Sequence, residues 1–125
     1  MKNLWGELPS GEGIVPPVTI LKEQAELLTD HYGGMLQGQV SQGEPFGMDL
    51  RYNMSIVAPL LNNYTFAVAT LYNPITLYPC KLVDRISNAE TKANNAAELE
   101  IALGRVLMSE TVKKVVAALA AQSKV

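Results

Sequence analysis

The sequence is short of the side chains on which most enzyme and metal sites depend. It contains one cysteine, Cys80, and one histidine, His31, among 125 residues. A single cysteine excludes an internal disulfide, and one histidine with one distant cysteine does not form a known metal-binding motif. The glycines match neither a dinucleotide-binding fingerprint nor a phosphate-binding loop. The sequence therefore predicts no disulfide, no metal and no cofactor.

Long apolar runs and a strong charge of either sign are also missing. The formal net charge is −2, which gives no electrostatic reason to bind nucleic acid. No stretch of about 18 uninterrupted apolar residues is present, so we expect no membrane partner. The first residues do not follow the pattern of a signal peptide. Together these features predict a bacterial-type protein located in the cytoplasm.

Charge is absent altogether from the centre of the chain, because residues 52–80 contain no Asp, Glu, Lys, Arg or His. Within and around this stretch, residues 50–58 and 64–72 alternate as strands do, and a short Pro-Leu-Leu-Asn-Asn segment joins them, which predicts a hairpin. Pairing Ala58 with Tyr64 puts the large apolar residues on one face and small, nearly uncharged ones on the other. An alternative register turns at Asn62-Asn63 but places Pro59 inside a strand, where its missing N–H is unfavourable.

The remaining elements follow from helical periodicity and from turn residues. We expect a helix over residues 16–32, a weak strand near 35–41, and one or two short strands between 75 and 83. Residues 88–94 are expected to form a polar loop, and two further helices follow it. The fold class is therefore α+β, with an N-terminal helix, an antiparallel meander of three to four strands, and two C-terminal helices on one sheet face. Residues 1–15 form an irregular arm and 16–125 a single domain.

The small, uncharged face of the hairpin suggests a function. An exposed surface of this kind is typical of an interface between proteins. The leading hypothesis is a non-enzymatic module that self-associates, most simply as a homodimer, or binds another protein. The residues expected at this interface lie on the hairpin face and in its loop: Ser55, Val57, Leu60, Leu61, Thr65, Ala67, Ala69 and Leu71.

Two other functions are compatible with the sequence. The first is a small-ligand-binding domain with an apolar pocket lined by tyrosine and methionine. The second and weaker one is an enzyme that uses Asp49, Arg51 or His31. His31 falls in the last turn of a predicted helix, where a cation is favoured by the helix dipole without any catalytic role. Cys80 is interpreted as a small buried apolar residue.

Overall fold

A five-stranded antiparallel sheet with three helices on one face makes up the computed structural model, which describes residues 1–125. The strands follow one another in the order of the chain, so the sheet is a simple meander. In chain order the elements are α1 Pro17–His31, β1 Gln37–Gln42, β2 Leu50–Ala58, a short 3-10 turn at Pro59–Leu61, β3 Tyr64–Asn73, β4 Cys80–Asp84, β5 Glu90–Ala93, α2 Ala96–Leu107 and α3 Glu110–Ser123. The α+β class and the three helices are confirmed, and the sheet has one strand more than the predicted maximum.

Local sequence signals fix the ends of the helices. α1 begins at Pro17, where the missing N–H of proline costs no helical hydrogen bond. The Asn95 side chain caps α2 by accepting a hydrogen bond from the Glu98 N–H. Ser109 caps α3 in the same way, since its hydroxyl accepts from the Val112 N–H. These side chains satisfy backbone donors that the first helical turn leaves free.

The hydrophobic core lies between the three helices and one face of the sheet. It contains 20 buried residues drawn from all three helices and from four of the five strands, as well as Leu36 just before β1. The largest fully buried side chains are leucines, namely Leu21, Leu36, Leu71, Leu82, Leu99 and Leu103. Because strand side chains alternate between faces, the opposite face of the sheet points away from the helices. We call this opposite face the outer face; it carries Gln37, Gln39, Ser41, Arg51, Asn53, Ser55, Val57, Thr65, Ala67, Thr70, Tyr72, Lys81, Val83, Glu90 and Lys92.

The hairpin register agrees with the prediction only in the half nearest the loop. Ala58 pairs with Tyr64, and the expected pairing continues as far as Ser55 with Ala67. A β-bulge then leaves Val68 without a partner, and Met54 pairs with Ala69 instead of Val68. The Val68 carbonyl accepts a hydrogen bond of 3.0 Å from the Arg85 N–H, which ties the bulge to the chain just after β4. Beyond the bulge every β3 side chain lies on the face opposite to the one predicted.

The fifth strand was expected to be part of a polar loop. Glu90–Ala93 pairs with Cys80–Val83 and forms an edge strand of the sheet. Three of its four residues are exposed, and only Ala93 is buried. An edge strand rich in charge avoids pairing with other chains, and this polarity removes the apolar alternation by which a strand is recognised in a sequence.

α1 lies unusually close to β1. The Gly38 N–H donates a hydrogen bond of 2.9 Å to the Thr29 hydroxyl, and that hydroxyl donates one of 3.1 Å to the Ala25 carbonyl. A Cβ atom built on Gly38 would lie 2.5 Å from the Ala25 Cα and carbonyl oxygen. Only a glycine can therefore occupy this point of contact between the helix and the sheet.

Candidate binding site

An apolar cleft opens between α1 and α3 on the helical side of the sheet. Its volume is about 440 Å³, and ten of its twelve lining residues are hydrophobic. We call it the α1/α3 cleft; its lining consists of Gln24, Leu27, Leu28, Tyr32, Met54, Ile56, Val68, Leu107, Val112, Lys113, Val116 and Ala117. This size and composition are typical of sites for small molecules, which measure about 300–1,000 Å³.

The β-bulge shapes the floor of the α1/α3 cleft. Met54 and Ile56 of β2 and Val68 of β3 form this floor, and each is no more than 4% exposed. The bulge brings both Val68 and Ala69 into the core, and of the two only Val68 lines the cleft. The site therefore rests on paired strands of the sheet, which hold a binding surface more rigidly than a loop would.

Few polar groups line the α1/α3 cleft. Gln24 and Tyr32 contribute an amide and a hydroxyl, and Lys113 supplies the only charge. No carboxylate lies among the lining residues, so an anionic group on a ligand would meet no repulsion from this lining. Leu27, on the α1 wall, is 60% exposed, and an apolar ligand would cover it. Tyr32 and Met54 are the only tyrosine and methionine of the lining.

A second groove lies on the other side of α3, next to the hairpin loop. It measures about 430 Å³ and is lined by Leu61, Tyr64, Val115, Ala118, Leu119 and Gln122. Leu61 packs partly against the core, whereas Leu60 is 67% exposed at the tip of the 3-10 turn. Leu61 therefore faces the protein, whereas Leu60 faces solvent.

The residues predicted to form an interface are separated by the bulge. Ser55, Val57, Thr65 and Ala67 lie on the outer face. Ala69 and Leu71 were placed on the same face, and this was wrong, because the unpaired Val68 shifts both onto the core face. They are 1% and 0% exposed, so neither can contact a partner while the domain is folded.

Among the residues of the weaker enzyme hypothesis, His31 lies apart from Asp49 and Arg51. His31 is exposed at the end of α1, with its ring 4.7 Å from the Tyr32 ring. Arg51 lies on the outer face, whereas α1 packs on the opposite face of the sheet. Asp49 lines a polar depression just before the start of β2. His31 therefore does not share a site with Arg51.

Cys80 is a buried side chain at the start of β4. It is 2% exposed, and burial raises the pKa of its thiol to about 11, although a backbone hydrogen bond opposes the shift. At neutral pH the thiol is protonated, and the thiolate is the form that attacks electrophiles and binds metals. Cys80 therefore acts as a small apolar core residue, as its sequence context indicates.

Clustered metal ligands and membrane-crossing helices are not found in the structure. No three or more His, Cys, Asp or Glu side chains are grouped so that they could hold a metal ion. None of the helices combines the length and the apolar content that crossing a membrane requires. Cys80 is a free thiol, so the chain has no internal disulfide.

The α1/α3 cleft is apolar, rests on paired strands and has a few polar groups on its walls. Its lining comes from α1, β2, β3, α2 and α3, which span most of the sequence. Compared with protein-family models, with curated proteins and with solved structures, the chain shows no match.

Proposed function

We propose that the protein is a non-enzymatic binding protein that holds a small, mostly apolar molecule in the α1/α3 cleft. The observation that supports this is the composition of the cleft, in which buried core residues form the floor and ten of twelve lining residues are hydrophobic. Burying apolar surface is worth about 25 cal/mol per Å², so a ligand that covers this lining gains affinity without a charged partner. This function was the runner-up on sequence grounds.

The few polar groups of the cleft restrict how such a ligand lies. Its apolar body covers Leu27 and the floor residues, while an acceptor group faces Lys113 or the Tyr32 hydroxyl. A cation has no carboxylate in the lining with which to pair. The preferred ligands are therefore neutral or anionic molecules with one apolar end.

Filling the α1/α3 cleft with an aromatic ring is expected to weaken ligand binding. Ala117 lines the cleft and its side chain is exposed, so Ala117→Trp adds bulk without disturbing the buried core. The probe is 1-anilinonaphthalene-8-sulfonate, an apolar anion whose fluorescence rises when it leaves water. We expect the affinity of the variant for this dye to fall by about tenfold or more, since a loss of about 1.4 kcal/mol in binding free energy lowers the affinity tenfold.

The matched control is Ala121→Trp, which adds the same ring one turn further along α3 at an exposed position outside the lining. This control should bind the dye as the wild type does. Equal dye binding by the two variants, or no binding by folded wild-type protein, would contradict the proposed function. Circular dichroism shows whether each variant is folded.

Self-association remains a second candidate, and one observation favours it. Leu60 is 67% and Tyr64 50% exposed beside the groove formed with α3. A two-fold contact between hairpin loops would place Leu60 of each copy near the apolar groove of the other, and such self-complementary contacts are usual in dimers. We propose this loop, rather than the more polar outer face, as the contact in a cytoplasmic homodimer.

Light scattering on purified protein tests the dimer. We expect a wild-type mass twice that of the chain, and Leu60→Asp should halve it because a carboxylate would be buried without a partner. Ala67→Arg, on the outer face, should leave the dimer mass unchanged. A monomeric wild type at micromolar concentration would refute self-association, and a monomer caused by Ala67→Arg would move the contact to the outer face.

A further inference from the structure

Four side chains align across the outer face, one from each of four neighbouring strands. Arg51 pairs with Tyr72, Tyr72 with Lys81, and Lys81 with Lys92. Directly paired residues point to the same side of an antiparallel sheet. Three cations and one aromatic ring therefore lie in a single row, which we call the cationic row. It lies on the face of the sheet opposite the α1/α3 cleft.

The charges of the cationic row are largely available to a ligand. The only ion pair in the molecule joins the Lys81 ammonium to the Glu90 carboxylate at 3.6 Å, and both side chains are well exposed. Exposed pairs of this kind contribute little, about 0–1 kcal/mol, so an anion can replace Glu90 at small cost. Arg51 and Lys92 have no carboxylate partner, and the buried Nε of Arg51 makes no hydrogen bond.

Tyr72 gives the cationic row an aromatic surface. The Lys81 Nζ atom lies 5.0 Å from the centre of the Tyr72 ring, and Phe46 supports that ring edge-on with centroids 5.7 Å apart. A polar depression of about 420 Å³ opens here; Tyr72, Lys81 and Lys92 line it together with Asp49, Glu90 and the adjoining backbone segments. A flat ring and two ammonium groups thus share one concave site with two carboxylates.

We propose that the cationic row binds a nucleotide that carries at least two phosphates. The base stacks on Tyr72 in place of the Lys81 ammonium, which lies over this ring in the absence of a ligand, since base–aromatic stacking is favourable and tolerates any base. The phosphates lie on Lys81 and Lys92, which follow Tyr72 at intervals of about 4.8 Å across the strands. Asp49 provides an acceptor for a ribose hydroxyl.

Isothermal titration calorimetry with ADP tests binding to the cationic row. Substitutions that replace its lysines with neutral glutamine show whether ADP binds at this row. Lys81→Gln combined with Lys92→Gln should weaken ADP binding by about tenfold or more, because it removes two charge-assisted hydrogen bonds. The control is Lys114→Gln combined with Lys124→Gln, which removes the same charge from exposed positions in α3 and just after it, outside the α1/α3 cleft. The control should change the affinity for ADP by less than about twofold.

Tyr72→Leu separates stacking from charge. It should weaken ADP binding while leaving the affinity for inorganic pyrophosphate unchanged, because pyrophosphate has no ring to stack. An absence of ADP binding at millimolar concentration would overturn the nucleotide site, as would equal weakening by the two double-lysine variants. Binding of a short oligothymidylate without binding of any mononucleotide would overturn it too.

Discussion

Alanine at position 38 is expected to destabilise the protein by about 3 kcal/mol or more, although the change adds only one methyl group. The new Cβ would lie 2.5 Å from the Ala25 Cα and from the Ala25 carbonyl oxygen, and 2.8 Å from the carbonyl carbon. These are backbone atoms of α1, which cannot move aside as the tip of a side chain can. α1 would have to shift away from β1 as a unit.

Such a shift would also break the hydrogen bonds that join these two elements. The Thr29 hydroxyl accepts from the Gly38 N–H and donates to the Ala25 carbonyl. Ile20, Leu21 and Ala25 are all no more than 4% exposed on the buried side of α1, so lifting the helix would open the core. Overpacking and loss of burial therefore act together.

The control for this prediction is the same substitution at Gly104. That glycine lies inside α2, and the nearest atom to a new Cβ is the Met108 methyl carbon at 3.5 Å, an ordinary contact. Gly104→Ala should stabilise the protein by about 0.5–1 kcal/mol, because alanine has the higher helix propensity. Urea unfolding monitored by circular dichroism measures both changes. A loss below about 1 kcal/mol for Gly38→Ala would contradict the close approach of α1.

The elements that the sequence predicts well are those specified by short-range signals. Pro17 marks the start of α1, and the Asn95 and Ser109 side chains cap the two C-terminal helices. The hairpin is equally local, since two alternating segments flank a short turn. Each of these signals depends on interactions within a few residues of the chain.

Features that depend on residues far apart in the chain could not be predicted in this way. The α1/α3 cleft requires α1 and α3 to lie side by side above β2 and β3, and no pattern within either helix shows this. In the cationic row, Arg51, Lys81 and Lys92 come from three strands, and their charges are isolated in the sequence. The long uncharged stretch suggested a neutral sheet, whereas strand pairing brings charges from beyond both of its ends beside Tyr72.

The bulge at Val68 is the most consequential of the features that the sequence did not reveal. Alternation in β3 continues in the sequence as though no residue were inserted, because Ala67, Val68 and Ala69 are all small or apolar. A single unpaired residue is enough to exchange the two faces of a strand. It moves Leu71 from the predicted interface into the core, where the side chain is fully buried.

Arginine scanning of Ala67 and Ala69 tests the bulge directly. In a regular strand these two residues share a face, so arginine would have similar effects at both. In the bulged strand Ala67 is exposed and Ala69 is 1% exposed within the core. Ala69→Arg would bury a charge without a partner and is expected to cost about 4 kcal/mol or more. That is a large part of the about 5–15 kcal/mol by which most domains are stable.

Ala67→Arg serves as the matched partner of this substitution, since it makes the same chemical change two residues earlier. It should alter the free energy of unfolding by no more than about 0.5 kcal/mol, as is usual at exposed positions. Urea unfolding of the two variants gives the comparison. If both were tolerated, β3 would have to run without the bulge and turn Ala69 toward solvent. If both unfolded the protein, the outer face would have to be covered by another part of the chain.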